Sequence, residues 1–287
     1  MLAVDGELEV AQRATGGASE AAAHGPAPGE GVKGERVPMR SRLTGLRGSW
    51  LLPAVLSTTA GAVDVIGFLT LEGLFTAHIS GNLCVLAAHH ITGGFSHVGP
   101  LLSVPVFIAV LGVVTLAFGS VQKASDGARR ALLVLHAAPL AACLGLGVGF
   151  GPFADADRPM AVLVGMLAVG AMAIQNALVT LALKDVPPTA VMTTNITQLT
   201  IDLVTLARAR GDSNKLARAR HRASMTLPCV IAFMGGCAAG AVLEVYFGLW
   251  ALALPVVLAA LAVPLGELRS DGGAESRRSF PAARESE

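Results

Sequence analysis

Long apolar runs constrain the fold of this chain more than any other feature of its sequence. An α-helix needs about 20 consecutive, mostly apolar residues to cross the hydrocarbon core of a bilayer. Five runs reach that length and a sixth is slightly shorter; they cover residues 51–71, 101–121, 131–150, 160–183, 223–246 and 248–266. Only 14% of the 287 residues are charged, whereas soluble domains carry roughly 25%. The sequence therefore predicts an all-α integral membrane protein whose main partner is the lipid bilayer. Its net charge of +1 indicates no nucleic-acid partner.

The two ends of the chain differ in composition from the apolar middle. We expect residues 1–46 and 267–287 to be disordered tails that flank a membrane domain at residues 47–266. The N-terminal segment is rich in Ala, Gly, Pro and Glu without periodicity, so it buries too little apolar surface to offset its chain entropy. It starts with acidic residues, unlike a secretory signal peptide.

Two further runs, residues 74–92 and 189–207, are too polar to face lipid and too apolar to be ordinary loops. The distribution of Lys and Arg indicates how they are placed, because short cytoplasmic loops carry most of these residues. The basic clusters lie near residues 40–47, 123–130, 208–222 and 269–278. All four fall on one side if residues 51–92 and 160–207 each make one net crossing. This predicts about six net crossings of a bacterial inner membrane, with both termini cytoplasmic and the two polar runs broken or re-entrant.

The two polar runs resemble each other. Residues Thr76–Leu83 align without gaps on Thr189–Ile196, and Asp64 lies opposite Asn176 after a one-residue shift in the intervening loop. The chain thus divides into halves at about 51–150 and 160–266, each with a helix, a polar segment and two further helices. Because each half makes an odd number of crossings, we predict a 3+3 inverted repeat, which in transporters places the substrate site at the interrupted helices.

The same two blocks resemble the YoaK-type membrane proteins, a bacterial family catalogued as domain of unknown function 1275. The resemblance covers roughly residues 50–266 and implies an inner-membrane protein of about six helices with no established activity. One position departs from it, because many members have Gly where this chain has Thr194. The residues that carry the resemblance are Asp64, Phe68-Leu69, Gly73-Leu-Phe75, Ala77-His-Ile-Ser-Gly-Asn82, Gln175-Asn-Ala177 and Val191-Met-Thr-Thr-Asn195.

Asp64 is the most informative single residue, because a carboxylate within a membrane span costs roughly 2.5–3.5 kcal/mol on insertion scales. It is expected to face the bundle interior or water, where it would bind a proton, a cation or part of a substrate. The alternative is a neutral carboxyl group hydrogen-bonded to a neighbouring helix. His78 is a candidate neighbour of Asp64, with a purely structural histidine as the alternative.

The remaining candidate site residues are uncharged. Ser, Thr and Asn side chains cap the free N–H groups of a helix start, and two such starts facing each other would favour an anion. The alternative is plain capping with no ligand. Gln175 and Asn176 lie opposite Asp64 in the repeat, so the halves cannot be chemically equivalent. The two sets of candidate helix starts are Ser80, Gly81, Asn82 and Thr193, Thr194, Asn195.

No nucleophile elbow, Walker loop, dinucleotide fingerprint or zinc-protease motif is present. We therefore expect no catalytic residues, no cofactor and no metal site; His89, His90 and His97 match no standard ligand spacing. The favoured hypothesis is a secondary transporter or channel-like protein for a small polar solute, with anions among the candidates. One alternative is a non-transporting membrane scaffold or assembly protein. A second is a membrane-embedded lipid-modifying enzyme that uses the outer histidines.

Packing features account for other small residues in the apolar runs. Gly236-Cys-Ala-Ala-Gly240 fits the small-xxx-small pattern and predicts close contact with another helix.

Overall fold

The apolar runs form helices, and the described part of the chain contains no strand. The computed structural model describes residues 39–92, 98–119, 126–183, 186–208 and 212–278. Its α-helices are α1 Met39–Thr70, α2 Ile79–Thr92, α3 Val98–Phe118, α4 Asp126–Phe150, α5 Pro159–Ala182, α6 Met192–Arg208, α7 Ser213–Phe247 and α8 Ala253–Arg278. A 3-10 helix, Gly248–Leu252, joins α7 to α8. The all-α prediction is thus confirmed for these residues.

Five stretches of the described residues are long and apolar enough to cross a membrane. They are Trp50–Thr70, α3, α4, α5 and the continuous stretch Ser213–Glu267. The last stretch has 55 residues, and a single straight helix of that length would be about 80 Å long, far more than the roughly 30 Å core. Gly248 interrupts it in a backbone conformation with φ +57°, which favours glycine, so α7 and α8 are separate helices.

The outermost helices extend beyond the predicted membrane domain. Residues 39–46, predicted as part of a disordered tail, belong to α1, and residues 267–278, predicted as the other tail, belong to α8. These segments contain Arg, Leu and Glu, which favour helix, and each continues a helix that is already formed. The predicted disorder of residues 1–38 and 279–287 lies outside the described residues.

The main contacts between helices come in matched pairs when α1–α4 are compared with α5–α8. The contact of α1 with α7 corresponds to that of α5 with α3, and the contact of α4 with α5 corresponds to that of α8 with α1. Likewise α2 packs on α3 as α6 packs on α7. Helices α1 and α5 lie at the centre, with 72% of each candidate span buried, whereas α3 is only 11% buried.

The contact between α1 and α7 brings two backbones together. A Cβ atom on Gly61 would lie 2.3 Å from the Phe233 carbonyl oxygen, and one on Gly236 would lie 2.2 Å from the Thr58 carbonyl oxygen. A Cβ atom on Gly240 would lie 3.0 Å from Cα of Ala62. The prediction of a close contact at Gly236 and Gly240 is therefore confirmed. This contact positions α7 against the central helix α1.

The two polar runs form the short helices α2 and α6, each preceded by a non-helical segment. With 14 and 17 residues, these helices are about 21 and 26 Å long, so neither spans a 30 Å core on its own. Each packs on one neighbour and leaves most of its surface exposed. We call residues 71–78 the first break and residues 186–191 the second break.

Candidate functional site

Asp64 holds the first break from the C-terminal part of α1. It is 4% exposed, and its Oδ1 atom accepts hydrogen bonds from the backbone N–H groups of Thr76, Ala77 and His78 at 2.9, 2.7 and 3.3 Å. Its Oδ2 atom lies 2.5 Å from Nδ1 of His78. The backbone donors at this break therefore bind a carboxyl oxygen that the chain itself supplies.

His78 completes this arrangement at the edge of the bundle. Its ring stands edge-on to Phe75 and to Phe233 of α7, with centroid distances of 5.9 and 5.7 Å. The His78 side chain is 38% exposed, whereas that of Asp64 is 6% exposed. A hydrogen bond between Nδ1 and Oδ2 requires one proton between these atoms, which leaves Nε2 to gain or lose a second proton.

Asn82 fixes the start of α2 onto the first break. Its Oδ1 accepts from the backbone N–H of Phe75 at 2.8 Å, and its Nδ2 donates to the Phe75 carbonyl oxygen at 2.7 Å. The same Nδ2 donates to Oγ of Ser103 in α3 at 2.8 Å, and Ser103 donates to the carbonyl oxygen of Pro100 at 2.7 Å. One fully buried amide thus ties the break to the helix that α2 packs on.

The second break repeats part of this geometry. Nδ2 of Asn195 donates to the carbonyl oxygen of Pro188 at 2.5 Å. In both breaks an asparagine in the first turn of the short helix bonds the carbonyl group seven residues earlier. Pro188 has no N–H, so Oδ1 of Asn195 lacks the backbone donor that Phe75 gives to Asn82.

Gln175 is the side chain of α5 that reaches the second break. Its Nε2 donates to Oγ1 of Thr189 at 2.8 Å and to the carbonyl oxygen of Leu56 in α1 at 3.0 Å. Its buried Oε1 has no hydrogen-bond partner among the described residues. A neutral amide therefore takes the place that the Asp64 carboxylate has in the first break. Asn176, which sequence alignment places opposite Asp64, instead donates to the Met172 carbonyl oxygen of its own helix at 2.8 Å.

Among the other predicted site residues, Gly81 lies against the first break, where its backbone N–H donates to the His78 carbonyl oxygen at 2.8 Å. Ser80 and Thr193 are exposed and Gly81 is partly buried. The backbone donors of the first break bond Asp64 rather than the hydroxyl of Ser80. Thr194 is exposed as well, and it lines a cleft between α6 and α7.

This α6–α7 cleft has a volume of about 530 Å³. Its wall includes Val186, Pro187, Pro188, Thr194, Asn195, Gln198, His221, Arg222, Met225 and Thr226. The cleft therefore joins the second break to the first turns of α7.

An ion pair closes one wall of the α6–α7 cleft. Arg222 donates from Nη2 to Oδ1 of Asp202 at 2.6 Å and from Nε to Oδ2 at 3.1 Å. Gln198 also donates to Oδ1 of Asp202, at 3.2 Å. The Asp202 side chain is 1% exposed and that of Arg222 is 50% exposed. The carboxylate is therefore enclosed, while half of the Arg222 side chain remains exposed.

Sequence reasoning missed Ser103, Thr189 and the pairing of Asp202 with Arg222. A signal for the first existed, because Ser103-Val-Pro105 in α3 has a counterpart in Thr226-Leu-Pro228 of α7. Thr189 belongs to the repeated block, as the counterpart of Thr76.

Comparison with known proteins identifies a family for most of the chain. The sequence profile described as "Protein of unknown function (DUF1275)" matches residues 52–265. This confirms the resemblance drawn from the two motif blocks. No curated protein and no solved structure matches the chain.

Proposed function

This chain belongs to the DUF1275 family, and from its own geometry we propose that it is a secondary transporter of a small polar solute. The observation that carries the proposal is the pair of breaks, each closed by an asparagine bonded to the carbonyl group seven residues earlier. Corresponding interruptions in two halves of a membrane protein are the usual location of a transporter's substrate site. Among the described residues, only the first break is bonded to a carboxylate, that of Asp64, so the two breaks would have different tasks.

The proposed architecture is a 3+3 inverted repeat in the bacterial inner membrane, with six crossings and both termini in the cytoplasm. Helix direction supports it. Along α1 and α7, Thr58 lies beside Gly236 and Ala62 beside Gly240, so these helices run the same way. Gly147 of α4 lies beside Leu252, and Gly266 of α8 lies beside the more N-terminal Leu133, so α4 and α8 run in opposite directions. An axis in the membrane plane requires this of two equivalent helices.

In this proposal the Asp64–His78 pair carries the coupling proton. Asp64 holds the Nδ1 side of the ring, so a proton gained or lost at Nε2 changes the charge of the pair without breaking its hydrogen bond. The α6–α7 cleft and the second break receive the solute. Asn82, Asn195 and Gln175 keep the breaks in shape. No residue is assigned a catalytic role.

One observation favours the alternative of a non-transporting scaffold. Both oxygens of Asp64 are already bonded within the chain, as is the amide nitrogen of Gln175. Side chains bonded in this way are sufficient to hold broken helices together without any solute.

Transport assays in proteoliposomes separate the two functions. A pH-sensitive dye inside the vesicles reports proton movement while a panel of carboxylates, phosphates, amino acids and sugars is added outside. We expect at least one solute to drive proton flux. Asp64→Asn should abolish that flux, because Asn keeps an acceptor for the break but removes the carboxylate that stabilises the protonated ring of His78.

The matched control is Glu267→Gln, which removes a carboxylate from an exposed ion pair with Arg130. It should leave flux unchanged. The absence of flux across the whole panel, or equal flux in Asp64→Asn and the control, would support the scaffold instead.

A further inference from the structure

The α6–α7 cleft contains an accessible guanidinium edge beside an apolar wall. Arg222 has five N–H donors, and two of them, one on Nε and one on Nη2, bond Asp202. The remaining three have no acceptor in the described part of the chain. Because Asp202 is fully buried, it holds the guanidinium plane in place without competing at that outer edge. Arginine fixed in this way binds an oxyanion with two parallel hydrogen bonds.

The remaining residues of the cleft indicate the chemical nature of the ligand that carries the oxyanion. Val186, Pro187, Pro188 and Met225 give it an apolar wall, while Gln198 and Thr226 lie among its polar groups. A volume of about 530 Å³ is within the roughly 300–1,000 Å³ of small-molecule sites. An inorganic anion would leave the apolar wall uncovered, and a neutral sugar would leave the three guanidinium donors without an anionic partner.

We propose that the α6–α7 cleft binds an organic anion whose carboxylate or phosphate contacts Arg222 and whose apolar body lies against Pro187, Pro188 and Met225. This deepens the proposed transport function and rests on it for the consequence that the bound anion is carried. Two sources share this chemistry: a free organic acid and the headgroup of an anionic lipid.

Binding to the full-length purified chain tests the proposal directly. Hexanoate is titrated into protein in neutral detergent and binding is measured by calorimetry, with acetate and hexanamide as comparison ligands. Hexanoate should bind more tightly than acetate, which lacks the apolar body, and than hexanamide, which lacks the charge. Equal affinity for hexanoate and hexanamide would overturn the proposal.

Variants locate the site. Arg222→Gln alone would leave the buried carboxylate of Asp202 unpaired, which threatens folding. It is therefore combined with Asp202→Asn. A second variant, Arg222→Lys, keeps the positive charge but removes the guanidinium group. The double variant should weaken hexanoate binding by about tenfold or more. The control is Arg220→Gln, an exposed arginine on the same helix, which should change affinity by less than about twofold. Equal losses in the double variant and the control would place the anion elsewhere.

Hexanoate binding measured in lipid nanodiscs distinguishes a lipid headgroup from a free organic acid. If phosphatidylglycerol, compared with phosphatidylcholine alone, competes with hexanoate, the cleft takes a lipid headgroup; if it does not, the cleft takes a free acid. Anion binding without proton-coupled flux would refute the transport function and leave this inference standing. Proton-coupled flux of a neutral solute without anion binding would refute this inference alone.

Discussion

Replacing Asp64 should separate its structural role from any role in proton transfer. In Asp64→Ala, the backbone N–H groups of Thr76, Ala77 and His78 lose their shared acceptor. Each unsatisfied N–H costs about 1–3 kcal/mol, and the last two donors are only partly buried, so we expect a loss of about 3–5 kcal/mol in the free energy of unfolding. Asp64→Asn keeps an oxygen for these donors and an N–H for His78, so it should cost only about 1 kcal/mol.

Unfolding of the purified protein by SDS, followed by tryptophan fluorescence, measures both values. Glu267→Gln provides the baseline, because an exposed ion pair contributes at most about 1 kcal/mol. The order of stability should be control, then Asp64→Asn, then Asp64→Ala. If Asp64→Ala were as stable as the control, the carboxylate would not hold the first break. The assignment of the pair with His78 would then fail as well.

Two further predictions concern helix packing and topology. Gly236→Ala should lower the free energy of unfolding by about 1–3 kcal/mol, because its Cβ would lie 2.2 Å from a carbonyl oxygen of α1. Gly235→Ala has open space there and should be neutral or stabilising by up to about 1 kcal/mol; equal losses would refute the close contact. In a cysteine-free background, Gly127→Cys and Ser213→Cys should react with an impermeant maleimide only after cells are permeabilised, whereas Ala154→Cys should react in intact cells. Labelling of the first two from opposite sides would rule out the inverted arrangement.

The helices and the breaks were accessible from sequence because each depends on a local pattern. A run of about 20 apolar residues predicts a membrane-spanning helix, because that length matches the hydrocarbon core. The repeated block from Thr76 to Leu83 marked where a short helix begins after a break. His78 was a candidate neighbour of Asp64 because it lies at the end of that break and Asp64 lies shortly before it. These features need no knowledge of how distant helices pack.

The partners across helices were not accessible from the sequence. The alignment placed Asn176 opposite Asp64, yet Gln175 reaches the second break. Thr76 lies 12 residues after Asp64, and Thr189 lies 14 residues after Gln175, so the two halves differ in the length of the connection. Gln175, whose side chain is longer than that of Asp, reaches the second break across this longer connection. A residue-by-residue alignment does not take side-chain length into account. The pairing of Asp202 with Arg222 depends on the packing of α6 against α7.

Helix α1 is bonded directly to the first break and, through Gln175 of α5, to the second break. Its Asp64 carboxylate accepts from the first break, its Leu56 carbonyl oxygen accepts from Gln175, and these two residues are separated by about 12 Å along the helix axis. A displacement of α1 along its axis by a single residue, about 1.5 Å, would stretch the hydrogen bonds at both places together. Protonation at the first break and solute binding at the second break would then both act on α1, so each event would affect the other.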